Sequence, residues 1–118
     1  MRMHHLVVYV GDVSRSLEFY EGHLGFKPVE VGLPDYATVV DPGGETTICI
    51  HRGSSQRPTP GKDGAWLYIE LEDLDAVCKE LARRGVEFEQ MPRDMQWGWR
   101  HAYLRDPDGQ LLSFYRTT

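Results

Sequence analysis

The sequence predicts an α+β fold built from two copies of one strand–helix–strand module, arranged in tandem as one domain over residues 1–118. Three observations carry this expectation. Two strand-like runs, residues 6–10 and 66–71, are each followed by an aspartate and a helical stripe. Each helical stripe runs into a glycine, and each half later carries an Asp-Pro turn followed by an apolar strand. The offsets agree: Asp12 and Asp73 are 61 residues apart, Gly25 and Gly85 are 60 apart, and Asp41 and Asp106 are 65 apart. Self-similarity at a fixed spacing is the mark of an internal repeat, each copy one supersecondary unit.

The first strand, Leu6-Val7-Val8-Tyr9-Val10, runs into Gly11-Asp12. Asp12 and its counterpart Asp73 are placed as helix N-caps, where a carboxylate accepts from orphan amides and meets the positive end of the helix dipole. The apolar positions Val13, Leu17, Tyr20 and Leu24 then step by four, three and four, and Leu74, Val77, Cys78 and Leu81 by three, one and three. Both are helical periods rather than strand alternation. Gly25 and Gly85 suit the left-handed position that closes a helix. The turns are Asp41-Pro42-Gly43-Gly44 and Asp106-Pro107-Asp108-Gly109. In each, Pro sets φ at the first central position and Gly serves where φ is positive. Final strands follow at 46–51 and 111–116. Module one spans about residues 1–52 and module two about 65–118, joined by a polar, Pro- and Gly-rich connector at about 53–64. The second copy holds extra residues around 90–99.

Composition narrows the function classes. A chain of 118 residues buries roughly two-thirds of its unfolded surface and can hold a core without staples. Lys plus Arg number 13 against 18 Asp plus Glu, a net charge of −5. That balance argues against nucleic acid or an anionic membrane as partner, since both select clustered positive charge. No apolar run approaches the length of about 20 residues that spans a bilayer. Residues 1–5 show no signal-peptide pattern. Cys49 in a strand pattern and Cys78 in a helix pattern suggest no disulfide framework, so a reducing, cytoplasmic setting is expected.

The string His5-x6-Asp12-x3-Ser16-x2-Phe19-Tyr20-x4-Gly25-Phe26, with the Asp106–Gly109 turn and the apolar strand after it, resembles the vicinal oxygen chelate superfamily. That group includes glyoxalase I, extradiol dioxygenases, fosfomycin-resistance enzymes and bleomycin-resistance proteins. The resemblance covers nearly the whole chain. It implies two tandem βαβββ modules forming a curved mixed sheet that encloses a cleft, with helices on the outer face. Strand alternation then sorts side chains into two sets. Leu6, Val8, Val10, Leu67, Ile69, Leu71, Leu112 and Phe114 should face the helices. His5, Val7, Tyr9, Cys49, His51, Trp66, Tyr68, Glu70, Ser113 and Tyr115 should face the cleft. A slip of one residue would exchange the sets.

The resemblance also implies a divalent metal on a His or Gln from each opening strand and a Glu from each closing strand, polarising paired substrate oxygens. His5 stands at the first of these positions. Trp66, at the equivalent position of the second module, is not a ligand, and Ser113 and Cys49 stand where glutamates would be. A rearranged set of His5, His51 and Glu70, with His101 as a further candidate, offers donors suited to zinc, iron or manganese. Glu70 lies four residues beyond the usual ligand position on its strand.

The expected lining is aromatic instead: Tyr9, Trp66, Tyr68, Tyr103 and Tyr115. Trp97 and Trp99 flank Gly98 in the second module's extra residues, as a rim that contacts ligand or as side chains packed on the body or a dimer partner. Such walls suit a flat or cationic organic ligand. Arg100 pairs either with a ligand carboxylate or with Glu70 or Asp94. Three readings follow: a metal-independent small-molecule-binding protein of the bleomycin-resistance type, a metal-dependent lyase or dioxygenase built around His5, and a non-catalytic interaction domain. Sheet edges that need cover, and the superfamily's habit of pairing modules across chains, imply a homodimer.

Overall fold

The structure is a computed structural model that describes residues 4–53, 66–96 and 98–117. The chain divides into two compact units, Met1–Pro60 and Gly61–Thr118. Each unit has the order strand, helix, strand, strand, strand. In the first these are β1 (Leu6–Val10), α1 (Val13–Leu17), β2 (Lys27–Gly32), β3 (Tyr36–Val40) and β4 (Thr47–Arg52). In the second they are β5 (Leu67–Glu70), α2 (Leu74–Arg83), β6 (Phe88–Asp94), β7 (Arg100–Arg105) and β8 (Leu111–Arg116). The sheets share one topology, β1-β4-β3-β2 and β5-β8-β7-β6, with the first two strands parallel and the rest antiparallel. The expected βαβββ modules are therefore present. No helix of the described residues is long and apolar enough to cross a membrane.

The punctuation read from sequence works largely as expected. Asp12 accepts from the Arg15 amide at 3.2 Å, capping α1. Asp73 departs from expectation: its carboxylate makes no cap bond, and its carbonyl instead takes the Val77 amide at 2.9 Å. Gly25 and Gly85 adopt φ of 76° and 95° at the helix ends. In both Asp-Pro turns one carboxylate oxygen collects two backbone amides. Asp41 takes those of Glu45 and Thr46 at 2.8 and 2.7 Å, and Asp106 those of Asp108 and Gln110, both at 2.9 Å.

The first helix corrects its predicted stripe. It continues past α1 as a π-helical segment, Glu18–His23, in which the Leu24 amide reaches the Phe19 carbonyl at 3.2 Å. The wider turn shifts the phase of the buried face. Val13, Ser16, Phe19 and Tyr20 are buried, while Leu17 and Leu24 are only half-buried. In α2, Leu74, Cys78 and Leu81 are buried as expected. Burial pushes the Cys78 thiol up to about 12, so it stays protonated and inert.

The strand register sets the faces. Val8, Val10, Ala37, Val39, Ile48 and Ile50 form the core of the first unit, and Leu67, Ala102, Leu104, Leu112 and Phe114 that of the second. Leu6, at the strand's start, is partly exposed. The extra residues of the second module are absorbed by β6, whose pairing with β7 shifts twice, and by the turn after it. At the shifts the Gln90 side-chain amide donates to the His101 carbonyl at 3.2 Å, replacing ladder bonds the bulges remove. Pro28 and Pro92 lie in the edge strands β2 and β6, where a missing N–H is tolerated.

Candidate functional site

On the sheet face opposite the Leu112–Phe114 core, the second unit gathers its aromatic residues. Register places Tyr68, Ser113 and Tyr103 in one row and Glu70, Tyr115 and His101 in the next. Trp66 precedes β5, its ring edge-on to Tyr103 at 5.4 Å. Trp99 precedes β7 and stacks on Tyr115 with centroids 5.2 Å apart and planes within 11°. Tyr68 leans on Tyr115 at 5.7 Å. The result is a continuous aromatic surface from Trp66 to Trp99. Its members keep exposed faces: Trp66 is 43% exposed, Tyr68 57% and Trp99 40%.

His101 is the buried centre of this surface, 1% exposed. Tyr115 stacks on it at 5.6 Å, Trp99 lies nearly parallel at 6.3 Å, and Tyr68 meets it edge-on at 5.9 Å. Its Nδ1 shares a hydrogen bond of 2.7 Å with the Ser113 hydroxyl, also buried. Burial pushes the imidazole below its ordinary range, which keeps it neutral at pH 7. The unfolded chain titrates this group near about 6.5. Below that pH the unfolded state takes up a proton that the folded state resists. The contribution to stability is therefore complete above about pH 6.5 and falls as pH drops towards the lowered folded value. Urea unfolding at about pH 7.5 and about pH 5.5 should show this loss, and His101→Gln should flatten it. An equal loss in the variant would assign the acid sensitivity elsewhere.

Arg100 does not join the aromatic face. Its guanidinium forks onto Asp75 in the first turn of α2, at 2.8 to 3.3 Å, and reaches Asp94 at 3.2 Å. Of its two expected carboxylate partners Asp94 is present, and Asp75 was not anticipated. The hydrogen bond from Arg100 holds the Asp75 carboxyl below its usual range. This pairing anchors the start of β7, beside Trp99. The turn itself is closed by Met95 and Trp99, with the Met95 amide on the Trp99 carbonyl at 2.8 Å. Trp97 lies outside the described residues.

In the first unit the expected lining falls in two rows. Val7, Cys49, Thr38 and Glu30 form one, and Tyr9, His51, Tyr36 and Gly32 the other. His51 meets Tyr9 edge-on at 5.8 Å and stacks on Tyr36 at 6.5 Å. Tyr36 and Glu30, joined by a 2.7 Å hydrogen bond, were missed from sequence. The signal was available: Tyr36 lies 65 residues before His101, the offset of the two Asp-Pro turns. Each unit thus carries a stacked His–Tyr pair across its third and fourth strands, with the two residue types exchanged between copies.

These donors do not fit the metal that the fold family implies. Among the described residues no three His, Cys, Asp or Glu side chains group as ligands. His5 precedes β1, is exposed, and faces His4, with their Nδ1 atoms 2.8 Å apart. His51 pairs with Tyr9, four residues along the strand, roughly 13 Å from His5's position. Glu70 is exposed at the end of β5. Ser113, where the resemblance implies a ligand, is hydrogen-bonded to His101.

Residues 2–114 match the sequence profile of the Glyoxalase/Bleomycin resistance protein/Dioxygenase superfamily, and the chain belongs to that superfamily. It is 27% identical over 125 residues to a lactoylglutathione lyase of Neisseria meningitidis serogroup A, covering 97% of this chain and 89% of that protein. It is 29% identical over 120 residues to the virulence protein STM3117 of Salmonella typhimurium, covering 94% and 81%. A superfamily member from Sphaerobacter thermophilus, known from its crystal structure, has a TM-score of 0.82 at 29% identity, covering 98% of this chain and 97% of that one.

Proposed function

We propose that this protein binds a small, planar organic ligand, aromatic or cationic, on the Tyr68–Trp99–Tyr115 face, without the superfamily's usual metal. The observation that carries this reading is the exposed aromatic surface around Trp66 and Ser113, the two residues of this unit that stand where the family pattern asks for metal ligands. Trp66 and Ser113 supply no metal donor set, while Trp66, Tyr68 and Trp99 are exposed to solvent. Stacking against such rings adds about 0.5–1.5 kcal/mol per pair beyond area burial. A cation over a ring face gains a comparable amount.

The test pairs metal analysis with a ligand screen on the full, untagged chain. Less than a tenth of an equivalent of zinc, iron or manganese is expected, with tryptophan fluorescence quenched by planar aromatic compounds. The lactoylglutathione lyase relative favours a second reading, a metal-dependent lyase or dioxygenase built around His5. Stoichiometric metal lost on His5→Ala would replace the first reading with the second. No response to any compound, with no metal, would favour a non-catalytic interaction domain.

A homodimer belongs to the same reading. The edge strand β2 and the turn after it expose Val29, Val31 and Leu33, an apolar edge that a second copy would cover. Sedimentation velocity at micromolar concentration should show a species of twice the chain mass.

A further inference from the structure

The first unit carries a cluster of its own on β2, β3 and β4, whose polar atoms share one property. His51 Nδ1 lies 2.9 Å from the Arg52 carbonyl oxygen. A carbonyl only accepts, so Nδ1 is the donor in this contact, and in the neutral imidazole Nε2 carries the lone pair. The Tyr36 hydroxyl spends its proton on Glu30 Oε1 at 2.7 Å. The Tyr36 oxygen then offers lone pairs, and Glu30 keeps a carboxylate oxygen that can only accept. His51 Nε2, the Tyr36 oxygen and Glu30 therefore all call for a donor.

The cluster is also held in shape. Tyr36 and His51 stack within 14° of parallel, and Tyr9 meets His51 edge-on. The Tyr36 ring lies across Gly32, so closely that a Cβ there would stand 2.3 Å from it. Any larger residue would displace the ring. Among the described residues the nearby cations are occupied or distant: Arg52 pairs with Asp35 at 2.9 Å, and Lys27 is in register with Val40, roughly 13 Å along the sheet from Tyr36.

We propose that Glu30, Tyr36 and His51, beside the Tyr9 ring, form a subsite for a protonated amine or guanidinium group. The ligand's N–H donors pair with the carboxylate and imidazole, and its charge sits against the phenol rings. This subsite stands independently of the planar-ligand site, because all its residues lie in the first unit and it needs no ring on the ligand.

The experiment titrates the full chain with butylammonium, 1-butanol and butyrate, aliphatic probes that do not stack. It is followed by NMR on the imidazole signal of His51 and the ring signals of Tyr36. Butylammonium should shift His51 and Tyr36 saturably, while butanol and butyrate should bind at least about tenfold more weakly. Glu30→Gln, an exposed and isosteric change, should lower butylammonium affinity about tenfold. Gly32→Ala should do the same by moving the Tyr36 ring, which bonds Glu30 and stacks on His51. Equal shifts with all three probes would overturn the proposal. So would butylammonium affinity unchanged in both variants, each shown to be folded by circular dichroism. Failure of this titration leaves tryptophan quenching by planar compounds unaffected, so the two proposals fail separately.

Discussion

Tyr115→Ala is expected to weaken binding of a planar aromatic ligand by about 10- to 100-fold while the chain stays folded. Tyr115 touches Trp99, His101 and Tyr68 together, so it holds the aromatic surface as one piece. Truncation removes a ring the ligand would stack on and frees Trp99 from its parallel partner. Each lost ring pair is worth about 0.5–1.5 kcal/mol beyond area, which gives the lower end of the range. Tyr115→Phe retains the ring and should bind within about threefold of the native chain. A fluorescence titration of the three proteins reads this directly. Unchanged affinity in Tyr115→Ala would move the ligand off this face.

One residue earlier, the expected result is of another kind. Phe114→Ala should cost about 3–5 kcal/mol of stability, the range for removing a buried phenylalanine. Phe114 is 2% exposed, faces the helix side in register with Ile69 and Ala102, and meets Phe88 edge-on at 6.4 Å. A domain of this size has only about 5–15 kcal/mol in total. The variant should therefore unfold at a markedly lower urea concentration, with part of the population unfolded in buffer. A loss under about 1 kcal/mol would mean that the neighbouring side chains refill the space. The contrast between adjacent positions follows from strand alternation: Phe114 points into the core and Tyr115 to the opposite face.

Much of this was legible in the chain. The Gly25 and Gly85 helix ends and the two Asp-Pro turns are local signals, each satisfied within a few residues. Period-two alternation put Val8 and Phe114 on the core side and Tyr68 and Tyr115 on the other, and the register has not slipped. The less legible parts involve partners distant in sequence. Arg100 had several carboxylates within plausible reach, and its pairing with Asp75, 25 residues away, depends on where α2 begins relative to β7. Asp73 is a residue type suited to capping, yet its backbone is not extended like that of Asp12 and its carboxylate makes no cap bond. Tyr36 and Glu30 were passed over because their two neighbouring rows form only when β2, β3 and β4 pair.

The aromatic lining shows the same division. That the second module is rich in Trp and Tyr is a property of the sequence, and strand alternation is enough to place Tyr68, Ser113 and Tyr115 on one face. That His101 lies buried among them, bonded to Ser113 and held neutral, required the cross-strand register of β7 with β8, to which the bulged β6 adapts. Repeat, punctuation and the sidedness of each strand were determined by the sequence itself, because the forces behind them act between near neighbours. Which polar groups meet, which imidazole is shielded and which carboxylate takes an arginine were decided by the tertiary structure, because hydrogen bonds and ion pairs act over a few ångströms between residues that only the folded sheet brings together.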